Sequence, residues 1–357
     1  MKANVHQLAD FTNKNIYVGM DVHKKSWSVS LFCESEFIRN FTQPPSVEAL
    51  EKLLRRDFPG ANYICAYEAG FSGFWVQRQL TSKGIPCKVI HAVDIPQSGK
   101  RKTIKRDSID SKGIGQALAA GMLNSIYIPN PDIEADRSLI RYRERLQKDI
   151  ARCKNRIKSL LNQHGFVIPE KLEKSWTKKL VFWLKEFNQA KGTIRISLDH
   201  MIDQMILLRQ TLLKVNRDIR ALQNSEKYKR EMDLLMSVPG IGPLTAITLL
   251  TEIMDINRFS SFLQMNSFVG LYPMEHSSGE NEHKGSITIR HNKPLRRMLI
   301  EAAWIAVRYD PALIQVFQQW KQRMTSKRAI VKIARKLLSR IHYVWKTGVS
   351  YEKGLIK

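Results

Sequence analysis

Cysteine is scarce in this chain. Four occur in 357 residues, at Cys33, Cys65, Cys87 and Cys153, and no two form a CxxC pair. Buried free thiols in a reducing compartment are expected, since Cys33, Cys65 and Cys87 sit within or beside apolar, strand-like runs. Long apolar runs are also missing. None reaches the roughly 20 residues that a membrane-spanning helix needs, and the opening MKANVHQLADFTNKN lacks the apolar stretch of a secretory signal. A cytoplasmic protein with no membrane partner is expected. Acidic residues are in deficit: 33 Asp+Glu face 58 Lys+Arg, a formal net charge of +25. Charge on that scale concerns partners rather than fold. Nucleic acid is the expected partner, because each neutralised phosphate releases counterions. An anionic membrane would favour a basic amphipathic helix at one terminus, whereas these basic residues are spread along the chain.

What is present is enough apolar material, 43% of the chain, to build two or three cores. Residues 16–32, IYVGMDVHKKSWSVSLF, read as a strand ending at Asp21, a short turn, and an antiparallel partner strand. A helix capped by Ser46 follows over residues 46–56. A short strand over residues 63–67 ends at Glu68, a helix covers 74–82, and a further strand covers 87–91. This alternation predicts an α/β sheet domain over residues 14–128. Residues 129–227 change character. Leu139, Leu146, Ile150, Cys153, Ile157 and Leu160 recur at heptad steps that Arg143 interrupts. Leu198, Met201, Met205, Leu208, Leu212, Val215, Ile219 and Leu222 recur without interruption, so a coiled-coil middle region is expected, paired internally or used to form a homo-oligomer. Residues 165–195, with Pro169, Trp176 and Trp183, give no readable pattern. Residues 228–350 are predicted to be a helical domain. Its PGIGP run (residues 239–243) separates two apolar stretches in the manner of a helix-hairpin-helix element, where Gly240 and Gly242 would let backbone N–H groups approach a phosphate. An ordinary tight turn between core helices fits that run equally well. The fold class expected is therefore α/β plus all-α.

The acids are informative as a set. A single carboxylate near Lys and Arg is most often solvated or ion-paired. Here Asp21 and Glu68 each end an apolar strand, where an unpaired charge is costly. Asp107 and Asp110 stand three apart at the start of a predicted helix, which puts them on one side of it. Two strand-end acids plus a DxxD in a basic setting is the layout of a ribonuclease-H-like nuclease core. Magnesium suits such hard oxygen ligands and binds them together with substrate phosphates, and a pair of ions serves phosphoryl transfer. The flanking Lys100, Arg101, Lys102, Lys105 and Arg106 are candidate phosphate contacts that would not read sequence.

In order and spacing, GMDVHKKSW, AYEAG and KRDSIDSKGIG resemble the RuvC-like DEDD domain of the IS110 family of transposases, relatives of the Piv-type DNA invertases. The resemblance implies that Asp21, Glu68, Asp107 and Asp110 form a tetrad for Mg2+ (or Mn2+). It extends to residues 268–299, where Gly270-Leu271-Tyr272-Pro273 leads to Ser277-Ser278-Gly279. Alone, Ser-Ser-Gly reads as a loop; the resemblance implies that Ser278 is a nucleophile forming a covalent phosphoserine with DNA. His276, His283 and Glu280 are the nearby candidate bases, and the acids of the first domain could activate the serine in a composite site. Gly285, Ile287, Asn292, Leu295 and Arg296 match the family pattern Gly-x-Ile-x-Lys-x-Gly-Asn-x-x-Leu-Arg. Ile289 stands where that lysine is usual, His291 where its glycine is usual, and Glu280 where a second glycine often follows the serine. Lys284, Arg290 and Lys293 could replace the missing phosphate contact, beside Asn292 and Arg296. The resemblance further implies double-stranded donor and target DNA, a structured guide RNA, a dimer or tetramer, and a nucleoid-associated location in a bacterial or archaeal cell. Two other readings stay open: a metal-dependent, Holliday-junction-resolvase-like endonuclease with no covalent step, and a non-catalytic nucleic-acid-binding protein.

Overall fold

The computed structural model describes residues 11–95, 107–278, 281–289 and 291–353. The chain divides into two compact units, Met1–Ile128 and Pro129–Lys357. Among the described residues no helix is long and apolar enough to cross a membrane.

The first unit holds strands β1 (Asn15–Val22), β2 (Trp27–Cys33) and β3 (Glu36–Gln43), helix α1 (Val47–Asp57), strand β4 (Asn62–Glu68), helix α2 (Trp75–Ser82), strand β5 (Cys87–Ile90) and helix α3 (Asp107–Ala119). The sheet order is β3-β2-β1-β4-β5. β1 runs antiparallel to β2 and parallel to β4, which in turn runs parallel to β5. One sheet face sends Val18, Met20, Trp27, Val29 and Tyr67 against Leu50 and Leu54 of α1 and Val76 and Leu80 of α2. The other face, with Ala66 and Ile90, packs on Ile114, Ala117 and Leu118 of α3. β1 is thus covered on both sides, which is why it reads as an almost continuous apolar run. Ser46 caps α1 as expected, accepting from the Ala49 amide at 3.1 Å. β3, whose EFIRNFTQ is mostly exposed, carried no readable signal.

The second unit opens with α4 (Pro131–Gln163), then α5 (Glu170–Glu173), α6 (Lys178–Glu186) and α7 (Gly192–Gln223). α4 and α7 pack antiparallel, as the pairs Arg143–Asn216 (2.7 Å) and Cys153–Met201 (3.2 Å) require. The arginine that breaks the α4 heptads thus bonds across the helix pair. Ile140 and Leu161 are buried where the heptad spacing favoured their neighbours Leu139 and Leu160. A straight helix drifts about 20° per heptad, which moves the buried stripe from Leu160 to Leu161 at the C-terminal end, while at the other end Leu139 and Ile140 both pack into the large core of the C-terminal helices. Cys153, Ile157, Leu198, Ile202 and Met205 close a small core over Leu180 and Leu184 of α6.

At the other end, Ile140, Leu146, Val215 and Ile219 join a large core shared with α8 (Lys229–Met236), α9 (Pro243–Ile253), α10 (Phe262–Val269), α11 (Lys293–Tyr309), α12 (Pro311–Lys321) and α13 (Ser326–Thr347). The C-terminal region is not purely helical. β6 (Pro273–Ser278) and β7 (Asn281–Ile287) form an antiparallel hairpin, which the polar, non-alternating MEHSSGENEHKGSI gave no reason to expect.

Candidate active site

Asp21 and Glu68 leave the sheet side by side. The parallel register sets Met20 opposite Tyr67, so the next residue on each strand occupies the same level of two neighbouring strands, which lie about 4.8 Å apart. Alternation puts both on the face that carries Gly19 and Ala66, the face that α3 covers. The Asp21 side chain is one-fifth exposed and its Oδ2 lies 3.1 Å from Nε2 of His23. Glu68 is exposed.

The direction of α3 brings the other two acids to this end. Ser111 lies against β2 at Ser28 and Ser30, the partners of Asp21 and Gly19. One turn later Gly115 lies against Phe32, the partner of Tyr17. The helix therefore runs antiparallel to β1, and its first turn, with Asp107 and Asp110, sits at the end where Asp21 and Glu68 emerge. Helix N-termini favour negative charge, which offsets part of the cost of gathering acids there. Asp110 is exposed; the side chain of Asp107 lies outside the described residues.

Two features hold α3 in this position, a glycine contact and a serine cluster. A Cβ on Gly19 would lie 2.2 Å from the Gly115 amide nitrogen and 2.3 Å from the Ser111 carbonyl oxygen, so only glycine admits this helix-to-strand approach. The fully buried Ser111 hydroxyl lies 3.0 Å from the hydroxyls of both Ser28 and Ser30, and Asn40 Nδ2 donates to Ser111 at 3.0 Å and to Ser30 at 2.8 Å. The residue after Asp110 is thus tied to β2 and β3. The available signal was the pair Ser28 and Ser30, two residues apart on one face of an otherwise apolar strand.

Among the described residues no three His, Cys, Asp or Glu side chains are grouped closely enough to hold a metal ion. The donors gathered at this end, Asp21, Glu68 and Asp110, are all hard oxygens, which fits a magnesium-like cation rather than zinc. The basic residues Lys100, Arg101, Lys102, Lys105 and Arg106, together with Arg290, lie outside the described residues.

In the second unit, Ser278 is the last residue of β6, in register with Asn281. His276 pairs in register with His283, two residues from it, and Lys284 is the partner of Glu275. Asn292 and the Nη1 group of Arg296 hydrogen-bond within the protein. Asn292 Oδ1 caps α11 by accepting from the Leu295 amide at 3.2 Å, and its Nδ2 donates to Glu252 at 3.0 Å. Arg296 donates to the carbonyls of Thr288 (2.6 Å) and Gly270 (3.3 Å), and burial lowers its pKa. Gly240 has φ +85°, and a Cβ there would meet the Ala302 carbonyl oxygen at 2.3 Å, so this glycine lets the α8–α9 turn pack onto α11. Gly242 caps α9 in open space.

Sequence reasoning also passed over Glu252. It is 1% exposed in α9 and accepts from Arg141 Nε at 2.6 Å and Nη2 at 2.8 Å as well as from Asn292. Burial pushes its pKa up, but the Arg141 bonds outweigh that and the net shift is downward. A lone acid in the apolar run LTAITLLTEI was the visible sign.

Two family models match the chain: one described as a transposase, of the IS110 DEDD type, over residues 18–166, and one described as the transposase IS116/IS110/IS902 family over residues 232–318. The chain is similar to a putative transposase of Sinorhizobium fredii (30% identical over 317 residues, 86% of this chain and 75% of the relative). A second putative transposase of that organism is 28% identical over 320 residues, 82% of this chain and 80% of the relative. The transposase of insertion sequence element IS1533 of Leptospira borgpetersenii is 26% identical over 299 residues, 82% of this chain and 85% of the relative. The five-stranded sheet and largely helical remainder accord with these matches, and the DEDD-type model suggests dependence on a divalent metal. The chain belongs to the IS110 family of insertion-sequence transposases.

Proposed function

We propose that the chain cuts and rejoins DNA with a ribonuclease-H-like (RuvC-like) acid cluster acting together with Ser278. The observation that carries this reading is the register of β1 and β4, which sets Asp21 and Glu68 abreast on the face that α3 crosses with its Asp107 end foremost. Strand order β3-β2-β1-β4-β5, with β2 alone among these five strands running against β1, supports the ribonuclease-H-like assignment. Asp21, Glu68, Asp107 and Asp110 would hold Mg2+ or Mn2+, which when bound neutralises charge at the scissile phosphate. Asp21, with His23 against it, anchors the phosphate end of the site. Ser278 Oγ attacks phosphorus, a P–O bond of the strand breaks, and the electron pair leaves on the displaced DNA oxygen. The serine proton passes to a base, for which His276 and His283, paired two register positions from Ser278, are candidates. Attack by a DNA hydroxyl on the phosphoserine then restores Ser278 and joins the new strand.

The same reading divides the chain at residues 14–128, 129–227 and 228–350. The paired helices α4 and α7 serve as a coiled-coil oligomerisation region, the α8–α9 turn as a helix-hairpin-helix-like element, and a structured RNA as guide, in the cytoplasm near the nucleoid. The test incubates protein, Mg2+, element-end DNA and flanking transcript, then quenches in denaturant. A labelled protein–DNA adduct is expected, absent in Ser278→Ala and in Asp21→Ala. Adduct persisting in Ser278→Ala removes that serine from the mechanism. Strand cleavage that survives in Ser278→Ala without any adduct favours the water-using endonuclease, a reading supported by the fact that the acids gather within one unit without Ser278.

A further inference from the structure

Immediately after Glu68 the chain makes a short, tightly held turn. The Gly73 amide donates to the Gly70 carbonyl at 3.2 Å, and the Ala69 amide to the Ile90 carbonyl at 2.8 Å. From beneath, the buried Tyr67 hydroxyl donates to the Gly73 carbonyl at 2.8 Å. Gly73 takes φ +57°, and Ser72 is 8% exposed. Phe71, at the tip of this turn, is 71% exposed. An ordered turn that holds a bare aromatic ring in water loses the usual gain from burying it, and nothing in the local packing requires a large apolar side chain there.

The surroundings are aromatic and basic. Trp75, 41% exposed, lies with its ring centroid 5.9 Å from that of Trp27, and the Arg78 guanidinium sits 5.8 Å from the Phe74 centroid. The neighbouring β1–β2 turn, closed by the His23 amide on the Ser26 carbonyl at 3.2 Å, exposes Lys24 and Lys25. β1 and β4 are parallel, so both turns stand at the end of the sheet where Asp21 and Glu68 emerge.

We propose that Phe71 is a base-stacking platform, receiving one unpaired nucleobase of the DNA strand whose phosphate lies at the Asp21–Glu68 end. This rests on the reading of that end as the DNA-cleaving site. Three properties carry it. The ring offers a π-face that any base can stack on without sequence preference. The turn is ordered in advance, so little freedom is lost when the base arrives. Lys24 and Lys25 offer cations for the backbone phosphates on either side of that base. The base must be unpaired because in a duplex both its faces are already covered by its neighbours. Phe71 would therefore favour strands opened next to the scissile phosphate over intact duplex.

The test measures binding of the full-length protein in EDTA, where no strand is cut, to a fluorescein-labelled thymidine homopolymer, to its uridine RNA counterpart and to a blunt DNA duplex. Phe71→Ala is expected to weaken binding of the DNA single strand by about five- to a hundredfold and to leave duplex affinity unchanged. Phe71→Trp should retain single-strand affinity. Phe71→Leu, which keeps apolar bulk but has no π-face, should behave like Phe71→Ala. An unchanged single-strand affinity in Phe71→Ala, an equal loss on duplex and single strand, or a loss confined to the RNA would overturn the proposal. The adduct assay with Asp21→Ala is run alongside. Adduct lost there while Phe71→Ala binds normally sinks the platform alone, whereas adduct persisting in Asp21→Ala sinks the reading of the site itself.

Discussion

Glu252 and Arg141 show how unevenly the two members of one ion pair depend on each other. The carboxylate is buried and the guanidinium side chain is 44% exposed. Arg141→Met would strand a buried charge with Asn292 as its remaining hydrogen-bond partner, at a cost of about 3–5 kcal/mol. Glu252→Gln leaves an arginine that can turn to water and an amide that still accepts a bond, at about 1–2 kcal/mol. The larger loss should follow the exposed residue, as read from the denaturant midpoint. The pH dependence has a definite sign. In the native protein the folded pKa of Glu252 lies below the ordinary value near 4.5, so its contribution is present above that pH and fades as pH falls through the folded value. Removing Arg141 leaves burial dominant and lifts the folded pKa above 4.5. The deficit of Arg141→Met relative to the parent should then grow as pH rises from 4 towards 7. A deficit that does not vary with pH would mean the carboxylate is already neutral.

At the scale of elements, the seating of α3 on β1 is the point where packing and chemistry meet. Gly19→Ala drives a methyl group into backbone atoms of α3, which cannot turn aside as a side chain can. The expected loss is about 3 kcal/mol or more, together with loss of metal-dependent activity, since the helix start carrying Asp107 and Asp110 is displaced. Gly115→Ala meets the ring of Phe32 instead, at 2.6 Å, and gains helix propensity of about 1 kcal/mol. It should be the milder change by thermal melting. The same elements show what the sequence made legible. β1, β2, β4, β5 and the helices around them were readable because each buries a patterned face and ends on a capping or turn residue such as Ser46 or Gly70. Asp21 and Glu68 stood out as charges closing apolar strands. β3 and the β6–β7 hairpin were not readable, because their strands are held by backbone pairing while their side chains are polar or exposed. Within the helical domain read over residues 228–350, the stretch after Asp310 holds two helices, since residues 322–325 separate α12 from α13. Ser111, Gly19 and Glu252 escaped notice because their roles depend on partners distant in sequence, which periodicity does not report.

For the molecule as a whole, the net charge of +25 and the acid cluster make separable predictions. DNA affinity should fall steeply with salt, since each phosphate neutralised on binding releases counterions. EDTA should leave that binding and its salt slope nearly unchanged while abolishing strand cleavage and joining. Filter binding and a cleavage assay on the same preparation would separate the two, and binding lost in EDTA would make the ion a structural part of the DNA interface. The division of the chain at Ile128 also has a consequence in time. The first unit has its own cores and is complete as soon as residue 128 clears the ribosome, whereas Glu252 must wait for Asn292 before its pocket closes. At 5–20 residues per second, synthesis from Pro129 to Ser278 takes roughly 8–30 s. For that interval each nascent chain carries Asp21, Glu68 and the Phe71 turn without Ser278. On the chemistry proposed above, it is a protein able to hold a strand while still tethered to its own messenger, before it can join one.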